Sequence, residues 1–120
     1  MSDCIFCKII AGEIPSTKIY EDGELIAFHD ITPMAPVHFL VIPKKHISSL
    51  LELEAEDAAL AGRLIYKAQE LAREPGPGGP EGCGENGARF VINAKRDGGQ
   101  TVDHLHLHVL GGRALGWPPG

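Results

Sequence analysis

From His104 to Leu110 the chain reads His-Leu-His-Leu-His-Val-Leu, with polar and apolar residues in strict alternation. That period predicts a β-strand covered on one face, because successive side chains of a strand point to opposite sides. His104, His106 and His108 would then share a face, with same-face neighbours roughly 6 to 7 Å apart. Imidazoles at that spacing have three uses. They can be separately hydrogen-bonded on a wetted face, they can ligate a metal, or they can attack and bind a phosphoryl group, since a neutral ring near its unperturbed pKa of roughly 6.5 is a competent nucleophile. The segment alone leaves all three open.

The rest of the chain narrows the setting. Its 120 residues suit one domain, 1–120, and a core of ordinary size. Hydrophobic residues are 43% and charged residues 22%, which argues against wholesale disorder, and no apolar run is long enough to cross a bilayer. The start, Met1-Ser2-Asp3-Cys4, lacks the features of a signal peptide, so a cytoplasmic location is expected. A formal net charge of −5 disfavours a nucleic-acid polymer as partner while leaving small nucleotides open. Three cysteines, two of them in Cys4-x-x-Cys7, suit metal or redox chemistry better than a disulfide framework.

In chain order, Cys4 to Ala11 has helical spacing and ends at Gly12. Lys18–Glu21 and Leu25–Asp30 read as strands joined at Asp22-Gly23, with Ile26, Phe28 and Asp30 on one face. Val37–Ile42 is apolar on both sides except for His38, as in a strand covered twice, and Pro43 is expected to end it. Lys44-Lys45 reads as a solvated bend. One long helix is expected from about Glu54 to Arg73, burying positions 60, 64, 68, 71 and 72. The run Glu74–Gly84, rich in Pro and Gly, must be a loop, and Arg89–Asn93 a further strand. Gly98-Gly99-Gln100-Thr101 then lets backbone approach a ligand, its N–H groups and hydroxyl offered to an anion. The tail, 113–120, carries the single tryptophan, Trp117, which should dock against something.

Taken together these motifs resemble the histidine triad (HIT) family, whose signature is His-φ-His-φ-His-φ-φ with φ apolar. The resemblance runs over nearly the whole chain to the branch of histidine triad nucleotide-binding proteins. It rests on Phe28–Ile31, Pro36–His46, Gly98–Thr101, His104–Leu110, and Leu110-Gly111-Gly112-Arg113 followed by Trp117-Pro118-Pro119-Gly120. It implies an α+β fold with a five-stranded, mostly antiparallel sheet, one long helix and one short one, dimerising into a continuous sheet.

The resemblance also implies a hydrolase of purine nucleoside 5′-phosphoramidates. His106 would attack the α-phosphorus and form a nucleotidyl-histidine, the carbonyl of His104 holding its other ring nitrogen. His38 and His108 would bind phosphoryl oxygens and assist proton transfer. Thr101, Asn93, Gly99 and Gln100 would lie on the phosphate side. Asp30 would meet the ribose hydroxyls, with Ile5, Phe6, Ile9, Phe28, Ile31 and Leu40 around the base. Thr101 stands where many relatives have Ser. No cofactor is implied for the reaction itself.

Cys4-x-x-Cys7 is half of a zinc site by spacing. In relatives that carry the pair, the other ligands correspond to His46 and His104, implying a closed structural zinc beside the catalytic residues. The resemblance further implies a homodimer whose C-terminal tails reach the other subunit's site. Three rival functions remain: a dinucleoside polyphosphate hydrolase using the same His106, a non-catalytic nucleotide-binding or interaction module, and a zinc hydrolase built on His104, His106 and His108.

Overall fold

The computed structural model describes residues 3–75 and 80–120. Five antiparallel strands form one sheet: β1 (Lys18–Glu21), β2 (Leu25–His29), β3 (Val37–Pro43), β4 (Ala88–Val91) and β5 (Leu107–Gly111). Their spatial order is β1-β2-β3-β5-β4. Three helices accompany them, α1 (Ile5–Ile10), α2 (Ala58–Arg73) and the one-turn α3 (Lys95–Gly98). The expected α+β architecture is therefore found, with α3 added. Gly76, Pro77, Gly78 and Gly79, within the expected loop, lie outside the described residues.

Alternation along the strands separates two apolar layers. Leu25, Ala27, Phe39, Val41, Leu107 and Val109 face α2 and pack with its Leu64, Ala68 and Leu71. The other face carries Ile26, Phe28, Leu40 and Ile42, covered by Phe6 of α1. β3 is buried at every position because it lies at the centre of the sheet between these two layers. The hairpin between β1 and β2 closes through Asp22, whose Oδ1 accepts from the N–H groups of Glu24 and Leu25 at 2.7 and 2.8 Å.

Several boundaries differ from the sequence reading. β3 continues through Pro43, which is paired with Leu25 and leaves its carbonyl free to accept a side-chain hydrogen bond. The long helix begins at Ala58. Ala55–Asp57 ahead of it form a 3₁₀ turn in which Glu54 and Asp57 make reciprocal capping contacts. Lys45 is not simply solvated, since its ammonium lies 2.6 Å from the buried Asp57 carboxylate. That ion pair holds Asp57 below the usual carboxylate range. The histidine strand starts at Leu107, three residues later than the alternation predicts. Upstream of it the chain bends, with the His104 N–H bonded to Val102 and that of Leu105 to Ile47. Among the described residues Trp117 finds little cover and is 82% exposed.

Candidate functional site

The bend before β5 gives the three triad histidines three different surroundings. His104 is fully buried, with Nε2 2.8 Å from the carbonyl oxygen of Pro43. A carbonyl only accepts, so Nε2 carries the proton and Nδ1 presents a lone pair. His106 is buried with Nδ1 2.6 Å from the carbonyl of His104, and by the same logic its Nε2 carries the lone pair. His108 lies on β5, beside Leu40 of β3 and Val91 of β4. The shared face predicted for all three therefore holds for His106 and His108, and His104 turns away toward α1.

A relay of hydrogen bonds orients the third ring. The Met34 N–H donates to Nδ1 of His38 at 3.0 Å, so the neutral His38 ring is protonated on Nε2. That nitrogen donates to Nδ1 of His108, also at 3.0 Å, which leaves His108 with its proton on Nε2. Asp30 Oδ2 lies 3.4 Å from the same His38 nitrogen. Burial pushes His38 and His106 below the ordinary histidine range. Burial, with the neighbouring His106 and His38 rings, brings His108 down to about 4. At neutral pH the site thus offers a bare nitrogen on His106 beside an N–H on His108, their ring centres 4.9 Å apart.

These two histidines sit at one end of a cleft of about 240 Å³. α1 contributes Ile5, Phe6 and Ile9, and the sheet contributes Phe28 and Leu40. Asp30 and Ile31 line it past the end of β2, and Thr101 lines the side next to the triad. Phe6 meets His106 edge-on at 5.1 Å and Phe28 at 5.6 Å. The lining thus combines an apolar slot with one carboxylate and two imidazoles, the mix of apolar walls and a few convergent polar groups found in small-ligand sites.

Asn93, Gly99 and Gln100 do not line this cleft. The N–H groups of Gly99 and Gln100 close the end of α3 by donating to Arg96 and Lys95. Gly99 adopts φ +83°, the left-handed cap that ends a short helix. The Gln100 amide is likewise occupied, donating to the carbonyls of Ser48 and Val102 and accepting from the Lys95 N–H. Conversely, Ile14, Pro15, Ser16, His29 and Val102 line the cleft without having been picked out from the sequence. Of these, His29 lay inside the Phe28–Ile31 motif and Val102 next to Thr101.

Cys4 and Cys7, paired by their spacing, come together with His46 and His104, the two histidines that the resemblance added. Their ligand atoms all lie within 4.8 Å of one another. Nδ1 of His104 is 3.2 Å from Nδ1 of His46 and 3.4 Å from Cys4 Sγ, and Cys7 Sγ is 3.3 Å from His46 Nδ1. A tetrahedral zinc with Zn–N near 2.05 Å and Zn–S near 2.3 Å would space its ligands roughly 3.3 to 3.8 Å apart. The lone pair of His104 faces the cluster because Pro43 holds its opposite nitrogen, the outer-shell arrangement that metal-bound histidines use. Donor set and spacing both fit. Asp30, His38 and His108 also cluster, but the Met34 N–H fixes a proton on the His38 nitrogen that would have to ligate. This second group is held together as a chain of hydrogen bonds.

Fold and site place the chain among small α+β proteins whose sheet presents paired, tautomer-locked histidines at the end of an apolar cleft. Residues 11–115 match the HIT domain, and the chain belongs to the HIT family. It is 52% identical to an uncharacterized HIT-like protein of Synechococcus elongatus over 118 residues, covering 98% of this chain and 97% of that one. Among solved structures, a HIT family hydrolase from Legionella pneumophila superposes with a TM-score of 0.89 at 46% identity, covering 98% of this chain and all of that one (100%). A histidine triad protein from Clostridium difficile gives 0.87 at 43% identity, over 97% and 96% of the two chains.

Proposed function

We propose that this chain is a nucleotide-binding hydrolase that cleaves purine nucleoside 5′-phosphoramidates through a nucleotidyl-histidine on His106. The observation that carries the reading is the hydrogen bond from His106 Nδ1–H to the His104 carbonyl, which commits Nε2 to act as nucleophile. The lone pair of Nε2 attacks the α-phosphorus and the P–N bond breaks, the departing amine taking a proton from solvent. Water then attacks the same phosphorus and returns a proton to solvent, the P–N bond to His106 breaks to restore the neutral ring, and AMP leaves. His108 donates its Nε2–H to the phosphoryl oxygen that gains charge, and His38 holds His108 in the tautomer able to do so. Asp30 accepts from the ribose hydroxyls and the apolar slot takes the base. The similarity to the HIT family hydrolase from Legionella pneumophila supports the hydrolytic class.

Cys4, Cys7, His46 and His104 would hold a structural zinc, whose closed ligand set leaves no position for substrate. When bound, it supplies stability and fixed ligand geometry. The reading includes a homodimer formed through the β4 edge. That edge strand carries Phe90, 45% exposed, and Trp117 has little cover among the described residues. Among the described residues no helix is long and apolar enough to cross a membrane.

The test compares an adenosine 5′-phosphoramidate with a dinucleoside tetraphosphate, using wild type and His106→Ala at pH 7. Turnover of the P–N substrate that vanishes in the variant supports the reading. Preference for the tetraphosphate would transfer the same nucleophile to the dinucleoside polyphosphate hydrolases. Tight nucleotide binding with no turnover of either would leave a binding module.

A further inference from the structure

α1 has six residues, too few to be stable as a helix on its own, yet it forms one wall of the cleft through Ile5, Phe6 and Ile9. Its apolar hold is limited: Phe6 is its single buried residue, and Ile9, Ile10 and the preceding Cys4 are only partly buried against the same cluster. The backbone hydrogen bonds made by Lys8, Ala11, Gly12, Glu13 and Ile14 all end within the same segment, on Cys4, Cys7, Lys8 and Ile9. Among the described residues, the polar contacts that leave Asp3–Ile14 for the rest of the fold are those of two thiols, Cys4 to His104 and Cys7 to His46 and His104. Cys4 is also the N-cap of α1, its Sγ accepting from the Cys7 N–H at 3.3 Å. The fastening point of the helix and the first turn of the cleft wall are thus the same residues.

We propose that Cys4, Cys7 and His46 are positioning residues for the nucleoside: their cluster with His104 pins α1 to the sheet and so sets affinity for the base, with no contact to substrate. A cation bound there strengthens the pin by tying both thiolates to two imidazoles that belong to the sheet side. Loosening it lets α1 lift away, taking Phe6 from its place against Phe28. The inference rests on the nucleotide-binding reading for its ligand, and the protection of α1 supplies a readout independent of it.

The experiment measures amide hydrogen exchange and AMP binding by calorimetry on zinc-loaded wild type, chelated wild type and a Cys4→Ser, Cys7→Ser double variant. Expected is faster exchange of the Lys8 and Ala11 amides with β3 and β5 still protected, together with a rise in AMP Kd of about tenfold. In steady state KM rises more than kcat falls, and returning zinc to the chelated wild type restores both readouts. Unchanged α1 protection would overturn the proposal, and so would faster α1 exchange with an unchanged Kd. If the double variant does not fold, the chelated wild type decides. Loss of sheet protection there as well would mean that the cluster holds the whole fold, which also overturns the proposal. Wild type that fails to bind AMP would defeat the nucleotide reading instead, while α1 exchange still reports on the pin.

Discussion

Nδ1 of His106 lies 2.6 Å from the carbonyl oxygen of His104, whose own ring donates to the carbonyl of Pro43 at the end of β3. Two backbone carbonyls therefore choose the tautomers of two consecutive triad histidines. One exposes a lone pair to the cleft and the other exposes a lone pair to the thiols of α1. Because His104 contributes its backbone to one site and its ring to the other, the two sites share a rigid link of only a few bonds.

Replacing the nucleophile should separate binding from chemistry. His106→Ala is expected to lower kcat on an adenosine 5′-phosphoramidate by about 10⁴-fold or more, with AMP affinity within about threefold of wild type. Rapid quenching of wild-type turnover followed by intact-protein mass measurement should reveal a nucleotidylated chain that the variant never forms. Turnover surviving in His106→Ala would remove His106 from the role.

Metal content makes a second prediction. Purified protein should carry about one zinc per chain, and zinc at 1,000 times its Kd should stabilise the fold by about 4 kcal/mol, a Tm shift on the order of 15 °C. Calorimetric melts with and without a chelator measure this directly. Identical melts would argue for two thiols and two imidazoles that merely share a buried corner.

Gly111, the last residue of β5, has no room for a side chain. A Cβ there would stand 2.5 Å from Cys83 Sγ, well inside contact distance. Gly111→Ala should therefore cost about 1 to 3 kcal/mol in urea unfolding. Adding Cys83→Ala removes the sulfur and should recover part of the loss, so the double-mutant cycle is expected to show coupling of at least about 0.5 kcal/mol.

Acid should destabilise the protein before its carboxylates titrate. His108 falls from the ordinary 6.5 to about 4 on folding, burial being the largest cause. Between those values the unfolded chain binds the proton and the folded one does not, so stability rises with pH across this window. Its full value is present above about 6.5 and is lost as pH falls toward 4. Tm measured from pH 4.5 to 8 should climb and then level, and His108→Asn should flatten the climb. The same shift keeps His108 neutral at pH 7, so catalysis should show no acid limb from this group until well below pH 6.

Much of the fold was legible because its cues are local. Leu60, Leu64, Ala68, Leu71 and Ala72 of α2 repeat at helical spacing, and all but Leu60, which is partly buried in the first turn, are buried as that spacing predicts. Alternation in β2 put Ile26 and Phe28 on one face, and they do share the cluster beneath α1. Alternation failed at His104, because the hydrogen bonds that bend the chain there run to Val102 and Ile47, and a period of two carries no record of either. Trp117 is a different case, since its ring is exposed in the single chain. The argument that a large ring seeks cover says nothing about whether the cover belongs to the same chain.

Residue types and their order established the α+β class, the two-faced strands, the histidine motif and a thiol pair with metal spacing. These properties depend on neighbours a few positions apart. Tertiary structure decided which nitrogen of each histidine carries the proton, since that is set by carbonyls of Pro43 and His104 and by the Met34 N–H, contacts spanning up to 61 residues. It also brought Cys4 to His104 across 100 residues, and turned the Gly99 and Gln100 N–H groups inward to cap α3. A side chain's chemistry belongs to its residue type. Its protonation, direction and partner belong to the fold, because hydrogen bonding and desolvation depend on what the chain's path brings alongside.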